Sequence, residues 1–125
     1  MYAKRLSETR AYEFFGNHYN LILPREITEL MEGELIRIKK GFKTPPHSHD
    51  KEEQVYVILE GKARMKIENE EKIVEKDYVV YIPRNKTHEI ETIGDDDLVY
   101  MYFAVFPDGK ILRDKEVQEI LDRQK

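Results

Sequence analysis

Short β-type runs separated by turn residues constrain this chain more than any other feature. Several runs alternate apolar and polar side chains, as half-buried strands do, and others are rich in β-branched and aromatic residues. Turn-forming stretches such as "EGK", "PRNK" and "GDDD" interrupt them at short intervals. The pattern predicts an all-β sandwich or barrel. The predicted strands are 19–24, 34–40, 54–60, 62–68, 72–77, 78–83, 88–93 and 98–106.

The two ends of the chain differ from this central pattern. Residues 114–124 predict a helix, with Asp114 as its N-cap and Val117, Ile120 and Leu121 at helical spacing. The first third is harder to interpret, and 26–32 fits either a strand or a short helical turn. We therefore predict an N-terminal extension over 1–33, a barrel over 34–106, and a tail with a helix over 107–125.

Length and charge exclude several classes of protein. At 125 residues the chain fits one domain with a substantial core. The net charge is −4, with acids and bases interspersed, which argues against a nucleic-acid-binding surface. No apolar run has the roughly 20 residues of a membrane span, and the N-terminus lacks the apolar core of a signal peptide. We expect a cytoplasmic protein, and the 37% of charged residues is typical of thermophiles.

Three histidines suggest a metal site. His47 and His49 share one face if their segment is extended, which the preceding "TPP" favours. Gln54 begins the next predicted strand, and His88 follows a predicted strand and turn. Three imidazoles and one amide oxygen would suit a transition metal. The alternative is a chance pair of surface histidines, and His18 is expected to be such a surface residue.

The spacing of these residues resembles that of a known family. Gly41-x5-His47-x-His49-x4-Gln54-x6-Gly61 resembles the first motif of the small single-domain cupins, and Asp77-x5-Pro83-x-Asn85-x2-His88 resembles the second. The resemblance implies a double-stranded β-helix, or jelly-roll barrel. It also implies one bound divalent transition metal ion, of the class nickel, iron, manganese, zinc or copper, and the implied ligands are His47, His49, Gln54 and His88.

The chain departs from the family pattern at four positions, of which the mildest is Thr92, where asparagine is often found. Gln54 replaces the usual glutamate, while Asp77 and Asn85 stand where glycine is usual. Asparagine tolerates a left-handed backbone, and aspartate does so less well, so we expect a changed turn at Asp77. Because an amide is neutral, Gln54 would leave the ion with its full charge, which makes it more electrophilic and less firmly held.

Tyrosines are the candidate catalytic residues. If Gln54 faces the interior, the two-residue strand period places Tyr56 on the same face. The last predicted strand offers Tyr100 and Tyr102 on one face and Met101 and Phe103 on the other, and either face could line a pocket. We select Tyr56 and Tyr102 as candidates, although Tyr56 is also explained as a core aromatic residue. Arg37 and Arg64 are expected in solvent, and the charged runs "DKEE", "ENEE" and "GDDD" are expected to be solvated turns.

Three functions are compatible with such a site. The histidine and glutamine set resembles that of pectin-degradation cupins that linearise unsaturated uronates, which implies sugar-acid isomerisation or ketonisation through a metal-stabilised enolate. The tail lacks an arginine at the position expected for that group, so Lys110 or Arg113 would have to substitute. A dioxygenase acting on an enol or diketone, and a non-catalytic sugar- or metal-binding module, are the alternatives. In each case the partner is a small molecule, and we expect a homodimer in which N-terminal strands cover the partner's sheet.

Overall fold

A computed structural model describes residues 1–124, and it confirms the predicted all-β jelly roll with a short C-terminal helix. Two antiparallel sheets face each other. The strands are β1 (Arg10–Phe14), β2 (Asn17–Leu23), β3 (Met31–Ile38), β4 (Glu53–Glu60), β5 (Lys62–Ile67), β6 (Glu70–Glu75), β7 (Val79–Ile82), β8 (His88–Ile93) and β9 (Leu98–Val105); short 3-10 turns occur at Leu6–Glu8 and Arg25–Ile27.

The strand order places the sequence-distant motifs side by side. The larger sheet runs β1-β2-β3-β9-β4-β7, and the smaller one runs β6-β5-β8. Alternate residues of β4 are buried, starting with Gln54 and continuing with Tyr56 and Ile58. Tyr56 and Ile58 join a core between the two sheets, whose buried members are Ile36, Ile38, Tyr56, Ile58, Ala63, Met65, Val74, Ile82, Ile90, Leu98 and Tyr100.

The N-terminal strands extend the larger sheet of their own chain. β1 and β2 form a hairpin around Phe15 and Gly16, which both have positive φ, and β2 pairs with β3. β3 begins at Met31, so the predicted boundary at residue 34 falls inside this strand. The segment 26–32 contains the end of one 3-10 turn and the first residues of β3. Dimerisation through these strands stays a prediction.

The helix α1 (Lys115–Asp122) packs against the N-terminal strands. The Asp114 carboxylate accepts a 2.9 Å hydrogen bond from the Glu116 backbone N–H, which confirms the predicted cap. Val117 and Leu121 are buried against Tyr12 and Leu21 in a second apolar cluster. The helix therefore docks on the N-terminal strands of its own chain. Among residues 1–124, no helix is long and apolar enough to span a membrane.

The turns at the two motifs contain residues whose backbone has the left-handed conformation. Asp77 and Asn85 adopt φ of 74° and 67°, so both take the conformation that glycine usually supplies. The expected change of turn at Asp77 is not needed, because its backbone N–H still bonds the Ile58 carbonyl at 2.9 Å. Gly61 is required on two counts: its φ is 84°, and a Cβ there would lie 2.4 Å from the Asp97 carbonyl oxygen.

Candidate metal centre

The fold brings together the three histidines of the two motifs. The extended segment before β4 lies against the start of β8, where the backbones of His47 and His88 exchange hydrogen bonds of 3.1 and 2.9 Å. The ring centroids are 4.3 Å apart for His47 and His88, 5.0 Å for His47 and His49, and 5.6 Å for His49 and His88. One nitrogen from each ring lies within 4.8 Å of the others, so the three could hold a metal ion.

Hydrogen bonds orient the imidazoles for this purpose. The Nδ1 atom of His47 lies 2.7 Å from the Pro45 carbonyl oxygen, and that of His88 lies 3.0 Å from the Lys86 carbonyl oxygen. A carbonyl can only accept, so each Nδ1 carries the proton and each Nε2 keeps its lone pair free. Such bonds on the far nitrogen are the usual way in which proteins orient histidine ligands.

A metal ion fits the donor set. Within residues 1–124, His88 Nε2 is buried without a hydrogen-bond partner, a state that costs free energy unless something binds there. Burial lowers the pKa of His88 to about 4, and it also lowers the pKa of His49. Both rings are therefore neutral at physiological pH, the form in which imidazole binds a transition metal.

Gln54 lies beside the histidines and is held by three neighbours. Its side chain is 2% exposed at the start of β4. Gln54 Nε2 donates to Glu52 Oε2 at 3.1 Å and approaches the Tyr102 hydroxyl at 3.4 Å, while Gln54 Oε1 lies 3.4 Å from the Tyr56 hydroxyl. Gln54, His47 and His49 line one cavity, whose lining among the described residues does not include His88.

Glu52 was missed by the sequence analysis. The run "DKEE" is predicted to be a solvated turn, which is wrong for Glu52, because only 6% of this residue is exposed. It accepts a 2.8 Å hydrogen bond from the Tyr102 hydroxyl, and its other oxygen lies 3.4 Å from His49 Nδ1. The two-residue period of β4, extended back from Gln54, would have placed Glu52 on the inward face.

The cavity beside the histidines has a volume of about 560 Å³, which suits a small molecule. Both candidate catalytic tyrosines line it, and so does Tyr100, so the tyrosine face of β9 is the one that faces the cavity. Burial raises the pKa of Tyr56, Tyr100 and Tyr102 above the ordinary range of tyrosine. The three hydroxyls therefore stay protonated and serve as hydrogen-bond groups.

Basic side chains lie elsewhere. Arg37 and Arg64 pair with acids on the surface, as expected. Arg113 is buried in ion pairs with Glu26 and Glu32, and the Lys110 ammonium bonds the carbonyls of Arg25 and Thr28. Neither Lys110 nor Arg113 lines the cavity, so the expectation that one of them substitutes for a substrate-binding arginine is wrong. Within the described residues, the cavity lining contains no lysine or arginine.

The family model for the cupin domain matches residues 34–106, more than half of the chain. The chain is a cupin. Solved cupin-fold structures agree with this assignment. A predicted oxalate decarboxylase from Thermotoga maritima superposes with a TM-score of 0.78 at 18% identity, covering 84% of this chain and 99% of the other. A cupin 2 conserved barrel protein from Salinispora arenicola covers 98% of both chains, with a TM-score of 0.70 at 16% identity.

Two further relatives bear on this cupin. The structure of KdgF from Halomonas sp. has a TM-score of 0.69 at 17% identity and covers 82% of this chain and 93% of the other. At these identities the solved structures show the shared fold alone. The uncharacterized protein MJ1618 of Methanocaldococcus jannaschii is 44% identical over 55 residues. That match spans 44% of each chain, so the cupin covers less than half of its relative's length.

Proposed function

We propose that this cupin is a metal-dependent enzyme that enolises a small oxygenated substrate, with His47, His49, Gln54 and His88 as the metal ligands. One observation carries the proposal: three imidazoles converge, two of them (His47 and His49) line a cavity, and His88 Nε2 is buried without a partner among the described residues. When bound, a divalent ion would supply Lewis-acid stabilisation for the negative charge that develops on an enolised substrate oxygen.

The protein groups around the cavity have defined parts in this proposal. Burial keeps both hydroxyls protonated, so Tyr56 can donate to a substrate oxygen, while Tyr102 donates to Glu52 and can accept a hydrogen bond from a substrate hydroxyl. The aromatic walls, which include Tyr19 and Tyr100, exclude water and strengthen every polar contact inside. Gln54, held by its own hydrogen bonds, would offer an oxygen without adding a charge.

The charge of the cavity bears on the choice of substrate. Its lining includes the acids Asp114 and Glu116, together with Glu34, whose pKa is raised by burial, but, among the described residues, no cationic side chain. A sugar acid would thus have to place its carboxylate on the ion or on neutral donors. An uncharged hydroxycarbonyl compound needs no such cation, so this lining favours it over the sugar acid that the resemblance implies.

Metal content is the first test. Protein purified without chelator should contain a divalent transition metal by elemental analysis, and His49→Ala should lose it. His18→Ala is the matched control, since His18 pairs with Glu13 on the surface and does not line the cavity. A wild-type protein that takes up no metal after reconstitution would remove the basis of the proposal.

Isotope exchange is the second test. In D₂O, the metal-loaded protein should catalyse proton exchange next to the carbonyl of dihydroxyacetone, followed by NMR, and it should exchange D-galacturonate more slowly. The reaction should consume no oxygen. Oxygen uptake with an enol or diketone would instead support the dioxygenase alternative. Tight binding without any exchange would support a non-catalytic module.

A further inference from the structure

Glu52 is a buried acid in contact with two of the four proposed ligands. Its Oε2 atom accepts from Gln54 Nε2 at 3.1 Å and from the Tyr102 hydroxyl at 2.8 Å. Its Oε1 atom lies 3.4 Å from His49 Nδ1. An amide NH₂ can only donate, and the Tyr102 hydroxyl donates to an anion, so the two hydrogen bonds are those of a carboxylate that faces donors, with the His49 ring at ion-pair distance.

This arrangement sets the direction of the Gln54 amide. Because a carboxylate accepts hydrogen bonds and cannot donate them, the nitrogen of the amide must face Glu52. The oxygen must then face away, where it makes its long 3.4 Å contact with the Tyr56 hydroxyl. A flipped amide would place two oxygens against each other at the Glu52 side. The ligating atom of Gln54 is therefore selected by Glu52.

Glu52 also changes the charge of the site. A neutral Gln54 among three neutral imidazoles would leave the ion with its full charge. The Glu52 carboxylate supplies one negative charge next to two of the ligands and not as a ligand itself. Because only 6% of Glu52 is exposed, water screens this charge weakly. Because Glu52 acts through His49 and Gln54, it would not occupy a coordination position that a substrate could use.

We propose that Glu52 is the outer carboxylate of the metal centre, which orients Gln54 and supplies the negative charge that most cupins carry on the ligand at that position. This inference rests on the proposed metal site. It corrects the expectation, drawn from Gln54 alone, that the ion keeps its full charge. In this cupin the negative charge would lie on Glu52, the hydrogen-bond partner of Gln54, and not on the ligand itself.

Calorimetric titration of the chelator-treated protein with ZnCl₂ tests the proposal without any substrate. Glu52→Gln should lower the zinc affinity by about 10- to 100-fold, the usual effect of losing a hydrogen-bond partner of a ligand. Glu53→Gln is the matched control, because Glu53 is the next residue but lies on the opposite face of β4. Its zinc affinity should stay within about twofold of wild type.

A charge-exchange variant separates electrostatics from folding. Gln54→Glu alone would place two carboxylates about 3 Å apart, so the metal-free variant should melt at a lower temperature. Adding Glu52→Gln removes the repulsion, and the double variant should recover both the melting temperature and the zinc affinity. If zinc binds wild type and folded Glu52→Gln equally well, Glu52 is only a structural residue and the proposal is wrong. If wild type itself binds no zinc, the proposed function fails first.

Discussion

The hydroxyl of Tyr102 lies 2.8 Å from the buried carboxylate of Glu52, and this bond ties β9 to the segment that precedes β4. It is a hydrogen bond to a charged group in a poorly solvated place, the kind that contributes most to stability. Tyr102 also lines the cavity, so one side chain both bonds the buried carboxylate and forms part of the cavity wall.

Tyr102→Phe should therefore lower the free energy of unfolding by about 2 kcal/mol, because Glu52 loses its shortest hydrogen bond while staying buried. Urea denaturation of the metal-free protein measures this. Tyr81→Phe is the control, since Tyr81 is 54% exposed and should change stability little. Equal effects of the two substitutions would contradict the role given to the Tyr102 hydroxyl.

Asn17 is a position where substitution should raise the free energy of unfolding. This residue lines the cavity from the start of β2, it is fully buried, and within residues 1–124 neither atom of its amide makes a hydrogen bond of normal geometry. The amide does approach the Tyr19 hydroxyl closely enough to lower that group's pKa, against the larger raising effect of burial. A buried amide without a full partner costs about 1–3 kcal/mol.

Asn17→Leu should raise the free energy of unfolding, because leucine has a similar volume and no polar atom to bury. Thermal unfolding measures the change. Asn20→Leu is the comparison: Asn20 Nδ2 donates to Thr9 Oγ1 at 3.4 Å, so its replacement should not stabilise. A lower melting temperature for Asn17→Leu would contradict this prediction and show that the Asn17 amide stabilises the folded chain.

Because the pKa of Glu34 is raised, we expect the stability of the protein to depend on pH. Burial raises the pKa of this carboxyl to about 8, helped by the nearby Glu32 carboxylate, and Tyr12 and Arg113 offset part of the rise. The folded chain thus holds a proton that the unfolded chain releases near pH 4.5. The contribution of this group to stability is present at low pH and is lost as pH rises from about 4.5 to 8, by at most about 1.4 kcal/mol per pH unit.

Glu34→Gln should abolish this slope, because glutamine keeps a neutral polar side chain at every pH. Denaturation curves at pH 5.5, 6.5 and 7.5 should show the variant gaining stability relative to wild type as pH rises. Taking the difference cancels the histidine titrations that both proteins share. Glu60→Gln, at an exposed position, should give no such trend. A constant difference across this range would contradict the raised pKa.

Breaking the buried ion pair of Arg113 and Glu32 should lower the free energy of unfolding strongly. Arg113 is 6% exposed, and its Nη2 atom donates to Glu32 Oε2 at 2.7 Å, while Arg25 bonds the other oxygen of Glu32 at 2.8 Å. Arg113→Ala would leave Glu32 with Arg25 alone and should cost about 3 kcal/mol in denaturant unfolding. The exposed pair of Arg84 and Asp108 has a similar length of 2.8 Å, yet Arg84→Ala should cost less than about 1 kcal/mol. If Arg113→Ala and Arg84→Ala lowered the free energy of unfolding by similar amounts, the expected effect of burial on the ion pair would be wrong.

Much of the fold was predictable because local rules act within a few residues. The alternation in 62–68 and the dense β-branched run in 54–60 became β5 and β4, since a strand turns successive side chains to opposite faces whatever surrounds it. Asp114 was recognised as a cap for the same reason. β1 was not recognised, because the segment "RAYEF" has little alternation and its burial depends on β2 and α1.

The amino-acid sequence by itself determined the jelly roll and the spacing of His47, His49, Gln54 and His88, because strand period, turn residues and motif spacing are properties of neighbours along the chain. Only the tertiary structure decided that Glu52 is buried against Tyr102 and that Arg113 pairs with Glu32 away from the cavity. Those partners are about 50 and 80 residues apart, and burial strengthens such contacts only once the sheets have closed around them.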